Sequence, residues 1–203
     1  MASTCLNWPV RTFIHPKNEP FMNIEKTNIP DLLVIKPKVF EDNRGYFFES
    51  YNEKKFFEQD LTYAFVQDNE SLSSYGIIRG LHYQLAPHAQ AKLVRVIRGR
   101  IFDVAVDIRK NSPTYGEWHG TELSEENKKQ MLIPKGFAHG FSVLSESTIV
   151  FYKCDDFYHP ESERGIHYQD ESLHIDWKID PEKAIISDKD KKLPNLADAD
   201  MNF

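Results

Sequence analysis

An all-β sandwich or barrel is the fold class this sequence predicts, and three observations predict it. Short runs rich in β-branched and aromatic residues recur at close intervals between residues 65 and 153, turn residues divide them, and a single stretch has helical character. A hydrophobic content of 40%, with 14 Phe and 9 Tyr, suits such strands, and 203 residues suffice for one well-covered domain.

Residues 1–21, MASTCLNWPVRTFIHPKNEPF, lack both strand and helix periodicity and the continuous apolar run of a secretory signal. They are expected to be an appendage, from an upstream start or an expression vector, with a real N-terminal arm as the alternative, ahead of one domain at 22–203. A patterned segment begins at Met22. In DLLVIKPKVF the apolar run reads as a strand, with Pro37 marking an edge or bulge, and EDNRGYFFES turns at Asn43–Gly45 into an extended run at 46–49. A helix is predicted over 52–59. Strands follow at 65–69, 77–84, 92–98, 101–108, 116–123, 129–133, 138–144 and 148–153. There is no fixed-period repeat and no low-complexity tract.

A net charge of −6 argues against general nucleic-acid binding, which needs a basic footprint to displace counterions, but a local Arg and Lys cluster can still hold a small anion. With 28% charged residues the chain offers no membrane span. Cys5 and Cys154 stand far apart in no metal-ligand spacing, so neither a disulfide framework nor a zinc motif is expected, and a reducing cytoplasm fits.

Alternation assigns directions. In KLVRVIRGR, Lys92 shares a face with Val94 and Val96, and the other face carries Leu93, Arg95 and Ile97. Both faces are partly apolar, so a second sheet or a subunit is expected on the far side. His139 rides with Phe141 and Val143, and Tyr152 with Val150; with His82 and Gln84 they can all point into one cavity. A histidine or tyrosine among apolar neighbours is ordinarily a packed residue with its polar tip satisfied. A lysine is different, because burying an ammonium is costly unless an anion meets it.

The spacing of Gly76, His82, Gln84, Lys92 and Gly99 resembles the first cupin motif, and Pro134, Gly136 and His139 resemble the second. Metal-binding cupins place further ligands where this chain has Gln84 and Lys92. Two imidazoles and a positive charge disfavour a divalent metal and favour an anion or a developing oxyanion.

Read further, FEDNRGYFFESYN, QDNESLS, IRGLHYQ, KLVRVIRGRIFDVAVDIR, SPTYGEW, PKGFAHGFSVLSE, YKCDDFYHPESERGI, HIDW and SDKDKKLPNL resemble the ordered motifs of the dTDP-4-dehydrorhamnose 3,5-epimerases. The resemblance implies a cupin-type jelly-roll barrel with a few short helices, a homodimer, no cofactor, and a thymidine diphosphate 4-keto sugar as substrate. By motif position it implies His82 as base, Asp190 as the acid orienting it, Tyr152 as proton donor and Lys92 as the enolate stabiliser. Arg44, Glu49, Gln67, Asp68, Asn69, Arg79, His139, Glu163 and Lys189 fall on substrate-contact positions, and Phe157 or Tyr158 is a candidate to stack on the base. His15, His88, His119, His159, His167 and His174 match no catalytic position and read as surface or packing residues. Readings that remain beside it are a relative acting at one carbon only, a metal-dependent cupin enzyme, and a non-catalytic sugar-binding barrel.

Overall fold

The computed structural model describes residues 21–203; the expectation for the N-terminal appendage therefore lies outside the described residues, apart from Phe21. Two sheets pack face to face. The first runs β1 (Met22–Lys26), β2 (Leu33–Pro37), β10 (Gln130–Ile133), β7 (Lys92–Arg98), β12 (Thr148–Cys154) and β5 (Gln67–Ser73). The second runs β13 (Glu163–Gly165), β6 (Ile77–Gln84), β11 (Phe137–Val143), β8 (Arg100–Asp107) and β9 (Trp118–Ser124), with β14 (Ile185–Ile186) added in parallel to β6. A separate hairpin joins β3 (Phe40–Asp42) to β4 (Gly45–Phe47). This is the all-β jelly-roll that the sequence predicts.

The core between the sheets takes Val94, Val96 and Val150 from the first and Ile101, Ala105, Phe137, Phe141 and Val143 from the second. The Lys92 face of β7 thus points inward, as alternation requires. At Leu93 its other face is covered by a segment of this same chain, and no second sheet of the described residues lies there. There the helix α1 (Glu53–Phe57) lays Phe56 against Leu93, Leu132 and Ile35. Asn52 caps that helix, its side chain accepting from the Lys55 amide, so the helix starts one residue later than expected, and it ends at Phe57 with Glu58 as C-cap rather than at residue 59. Further along, the Arg95 guanidinium lies over the rings of Phe48 and Phe151, and Ile97 is left at the surface.

The outer face of the second sheet is buried by the chain's last third, where Ile166, Leu173, Trp177, Ile186, Leu196 and Met201 pack on Ile78, Leu81, Val104 and Val106. Turns, single-turn 3₁₀ helices and short strands make up most of that segment, and its indole and backbone groups are satisfied individually: Trp118 donates to the Leu173 carbonyl and Trp177 to that of Tyr168, each at 2.8 Å. The strand predicted at 65–69 is displaced to Gln67–Ser73. QDNESLS looks like loop by composition, but an edge strand needs only its backbone paired on one side, and β5 pairs with β12 from Gln67 to Ser73.

Strands β6 and β11 approach so closely that a Cβ on Gly80 would stand 2.6 Å from the Gly140 Cα, and one on Gly140 2.7 Å from the Arg79 carbonyl oxygen. That contact, beside a register shift between His139 and Phe141, sets His139 directly opposite His82.

Candidate active site

A cavity of about 500 Å³ opens between the sheets, lined among others by Arg79, His82, Lys92, His139, Tyr152, Lys189 and Asp190. His82 and His139 reach it from paired strands of the second sheet, and Lys92 and Tyr152 from β7 and β12 of the first. Each imidazole is held by a carboxylate. His82 Nε2 donates to Asp190 Oδ1 at 2.8 Å, with Asp190 only 4% exposed. The tautomer that makes this bond leaves Nδ1 with the lone pair. His139 Nε2 donates to the fully buried Asp103 at 2.8 Å. Burial alone would raise the Asp190 carboxyl, but the hydrogen bond and charge of His82, with the Gly80 amide, hold it below the ordinary range.

The first sheet supplies a cation and a phenol. Desolvation lowers the Lys92 ammonium below an ordinary lysine, opposed by Cys154, Asp103 and Glu163. Among the described residues no carboxylate lies within ion-pair distance of its nitrogen, so its charge is left for whatever enters the cavity. Burial raises the Tyr152 phenol, which therefore keeps its proton at neutral pH. The Lys92 ammonium lies 5.8 Å from the Tyr152 ring centroid. Burial likewise lowers His139, against the pull of Asp103, so this imidazole is disposed to be neutral.

Other expected residues gather at the rim. Glu163 Oε2 accepts from Lys189 at 2.6 Å and from the Tyr158 hydroxyl at 2.8 Å, and Gln67 Oε1 accepts the Tyr158 amide at 3.0 Å. Asn69 bonds Gln67 and approaches the Cys154 sulfur at 3.6 Å. Arg79 lines the cavity, its Nε on Ser73 at 3.1 Å. Asp68 is paired outward with Lys153 at 2.8 Å. Arg44 and Glu49 are not brought to this cavity: Arg44 pairs with Asp42 in its own exposed hairpin, and Glu49 with Lys55 and Asn52 beside α1.

Gln84 is a correction to the expectation that it shares the cavity. Its buried amide spans loops, donating to the carbonyls of His88 and Phe157 at 2.6 and 3.2 Å and accepting from the His159 amide at 2.7 Å. Asp103 is the residue that sequence reasoning missed. The signal was present, since an acid on the inward face of IFDVAVDI poses the same problem as Lys92 on β7.

The family model for dTDP-4-dehydrorhamnose 3,5-epimerase matches residues 26–198. The chain is 53% identical over 180 residues to the enzyme of that name from Shigella flexneri, covering 88% of this chain and 98% of the relative. Its fold is similar to the crystal structure of the Elizabethkingia anophelis enzyme of the same name, with TM-score 0.84 and 54% identity over 88% of this chain and 98% of that one. It is similar also to a Legionella pneumophila dTDP-6-deoxy-D-glucose-3,5-epimerase in complex with dTDP-4-keto-L-rhamnose, with TM-score 0.85 and 52% identity over 88% of this chain and 95% of that one. Sequence, fold and the match across nearly the whole described domain agree: this chain belongs to the dTDP-4-dehydrorhamnose 3,5-epimerase family.

Proposed function

We propose that the cavity inverts C3 and C5 of dTDP-4-dehydro-6-deoxy-D-glucose, giving dTDP-4-dehydro-L-rhamnose, with His82 as base, Lys92 as enolate stabiliser and Tyr152 as acid. The observation that carries this reading is the arrival of these three groups at one cavity from two opposed sheets, with Asp190 behind the histidine. The C4 ketone acidifies the hydrogens on both neighbouring carbons. His82 removes one, its charge as imidazolium balanced by Asp190. Negative charge grows on the ketone oxygen, where an ammonium without a protein counter-ion stabilises the transition state more than the ground state. Tyr152 then delivers a proton to the opposite face of the carbon, which inverts it. Arg79 and Lys189 at the wall and mouth suit the diphosphate. No step requires a cofactor.

The same reading places the enzyme in the cytoplasm as a homodimer. Cys154 is a free buried thiol, and among the described residues no helix is long and apolar enough to cross a membrane. The exposed hairpin carrying Arg44, Tyr46 and Phe47 is where we place part of the dimer contact, which would also give Arg44 a role away from its own cavity.

Incubation with dTDP-4-keto-6-deoxyglucose in deuterated water tests the assignment by NMR of the recovered sugar. Label at both C3 and C5 is expected, and none from His82→Ala. Label at one carbon only would make the chain a single-site epimerase, and rapid exchange by His82→Ala would require a second base. Chelator treatment is expected to leave the rate unchanged.

A further inference from the structure

We infer that His88, Asp156 and His159 form a binding site for a divalent transition ion of the zinc class, outside the catalytic cavity. One ligand atom from each lies within 4.8 Å of the other two, and none of the three lines the cavity. Two imidazoles and a carboxylate make the donor set preferred by zinc, cobalt and nickel rather than by magnesium or calcium, which want oxygen ligands.

The three residues come from two loops whose backbones are already fixed. The side chain of Gln84 holds both loops, bonding the His88 carbonyl at 2.6 Å and the His159 amide at 2.7 Å. Gln90 Nε2 donates to the Asp156 carbonyl at 2.7 Å. The site is therefore pre-assembled at the level of the main chain, and only side-chain torsions have to adjust.

A second feature points to a metal. His159 Nδ1 meets Glu161 Oε1 at 3.1 Å. A carboxylate on one ring nitrogen fixes the tautomer and raises the basicity of the other, the arrangement that commonly backs a metal-bound histidine. It directs the lone pair to Nε2. Asp156 and Glu161 also give the neighbourhood negative charge that a dication would offset. The His88 and His159 rings lie 3.6 Å apart at an interplanar angle of 20°. Parallel rings carry their lone pairs side by side, so closing on one ion, with ligand atoms roughly 3.3 Å apart in a tetrahedral site, requires rotation about the terminal ring torsion, which is broad in histidine. Water completes the coordination.

The ion would tie the loop between β6 and β7 to the one that follows β12. The latter carries Phe157 and Tyr158, and the Tyr158 hydroxyl bonds Glu163 at the cavity mouth. Binding there would stiffen one lip of the mouth without entering the chemistry.

The test is titration of the metal-free full chain with a zinc salt, by calorimetry and by thermal unfolding. One saturable equivalent is expected, with a melting temperature that rises with zinc concentration. His88→Ala and His159→Ala should each abolish that equivalent, and Glu161→Gln should weaken it roughly 10-fold or more through His159. All three should retain the metal-free melting temperature and metal-free epimerisation rate. If an Ala variant folds poorly, His88→Gln and Asp156→Asn take its place. The inference is overturned by absence of a saturable equivalent, by undiminished zinc binding in the histidine variants, or by loss of metal-free epimerisation in a folded variant, which would put these groups in the reaction itself. Because zinc binding is read without substrate, its failure is distinct from failure of the epimerase mechanism.

Discussion

At the scale of single residues, burial displaces two neighbouring groups of the cavity in opposite directions. Burial lowers Lys92 and raises Tyr152, so as pH rises the ammonium is lost at a lower pH than in an ordinary lysine, while the phenol still holds its proton. Under the proposed mechanism kcat should fall at alkaline pH as Lys92 loses its proton. Lys92→Arg, which stays charged, should move that fall upward in pH even as it lowers the plateau; an unmoved alkaline limb would reassign it. Lys92→Ala should reduce kcat by roughly 10²- to 10³-fold with a smaller change in KM, as expected for loss of one oxyanion donor. Tyr152→Phe keeps the base, the cation and nearly all the packing volume. The enolate should still form, and His82 should return a solvent-exchanged proton to the face it came from. Deuterium without inversion, most clearly at C5, is the expected NMR result, whereas normal inversion would remove Tyr152 from the mechanism. The lysine and the histidines were legible in sequence because alternation put polar groups on apolar faces. The roles came from motif resemblance, and Asp103 was passed over because no motif role drew attention to it.

At the scale of elements, the crossing of β6 and β11 is what aligns the two imidazoles. Adding a methyl at Gly140 would bring it to 2.7 Å from the Arg79 carbonyl and 3.2 Å from the Gly80 Cα, both backbone atoms that cannot step aside alone. Gly140→Ala should cost about 1–3 kcal/mol in denaturant unfolding. It should also lower kcat beyond what that loss of stability explains, because separating the strands moves His82 relative to Lys92 and Tyr152 on the facing sheet; a stable variant with full kcat would show that the crossing is not a positioning device. Strands with strong alternation, such as β6, β7 and β12, were readable from the chain nearly to their ends. The short strands β13 and β14 were not, since two or three residues carry no period and are strands only because β6 offers an edge. The covering of Leu93 by α1 was missed for a related reason: a buried face announces that something lies on it, and not which part of the chain.

At the scale of the whole molecule, the outer surface of the first sheet is unlike the rest. The final segment of the chain buries the outer face of the second sheet, but on the first Leu72 of β5 is 67% exposed, Ile97 reaches the surface, and the nearby hairpin exposes Tyr46 and Phe47 at 58% and 57%. Among the described residues no strand pairs with the outer edge of β5, on the same side. Apolar side chains gathered this way mark an association surface when they are contiguous, and a self-complementary patch closes most simply as a two-fold dimer. Light scattering coupled to size exclusion should give twice the 23.7 kDa chain mass. Leu72→Asp places a charge at the centre of the proposed contact and removes nothing from the core, so it should yield a folded chain at the monomer mass, with strand signal in circular dichroism unchanged. If the hairpin serves a partner's cavity, the monomer should also show a raised KM for the nucleotide sugar with His82, Lys92 and Tyr152 all intact. A Leu72→Asp variant that remains dimeric would move the contact elsewhere, and one that becomes monomeric with wild-type kcat and KM would show that each cavity is complete within its own chain.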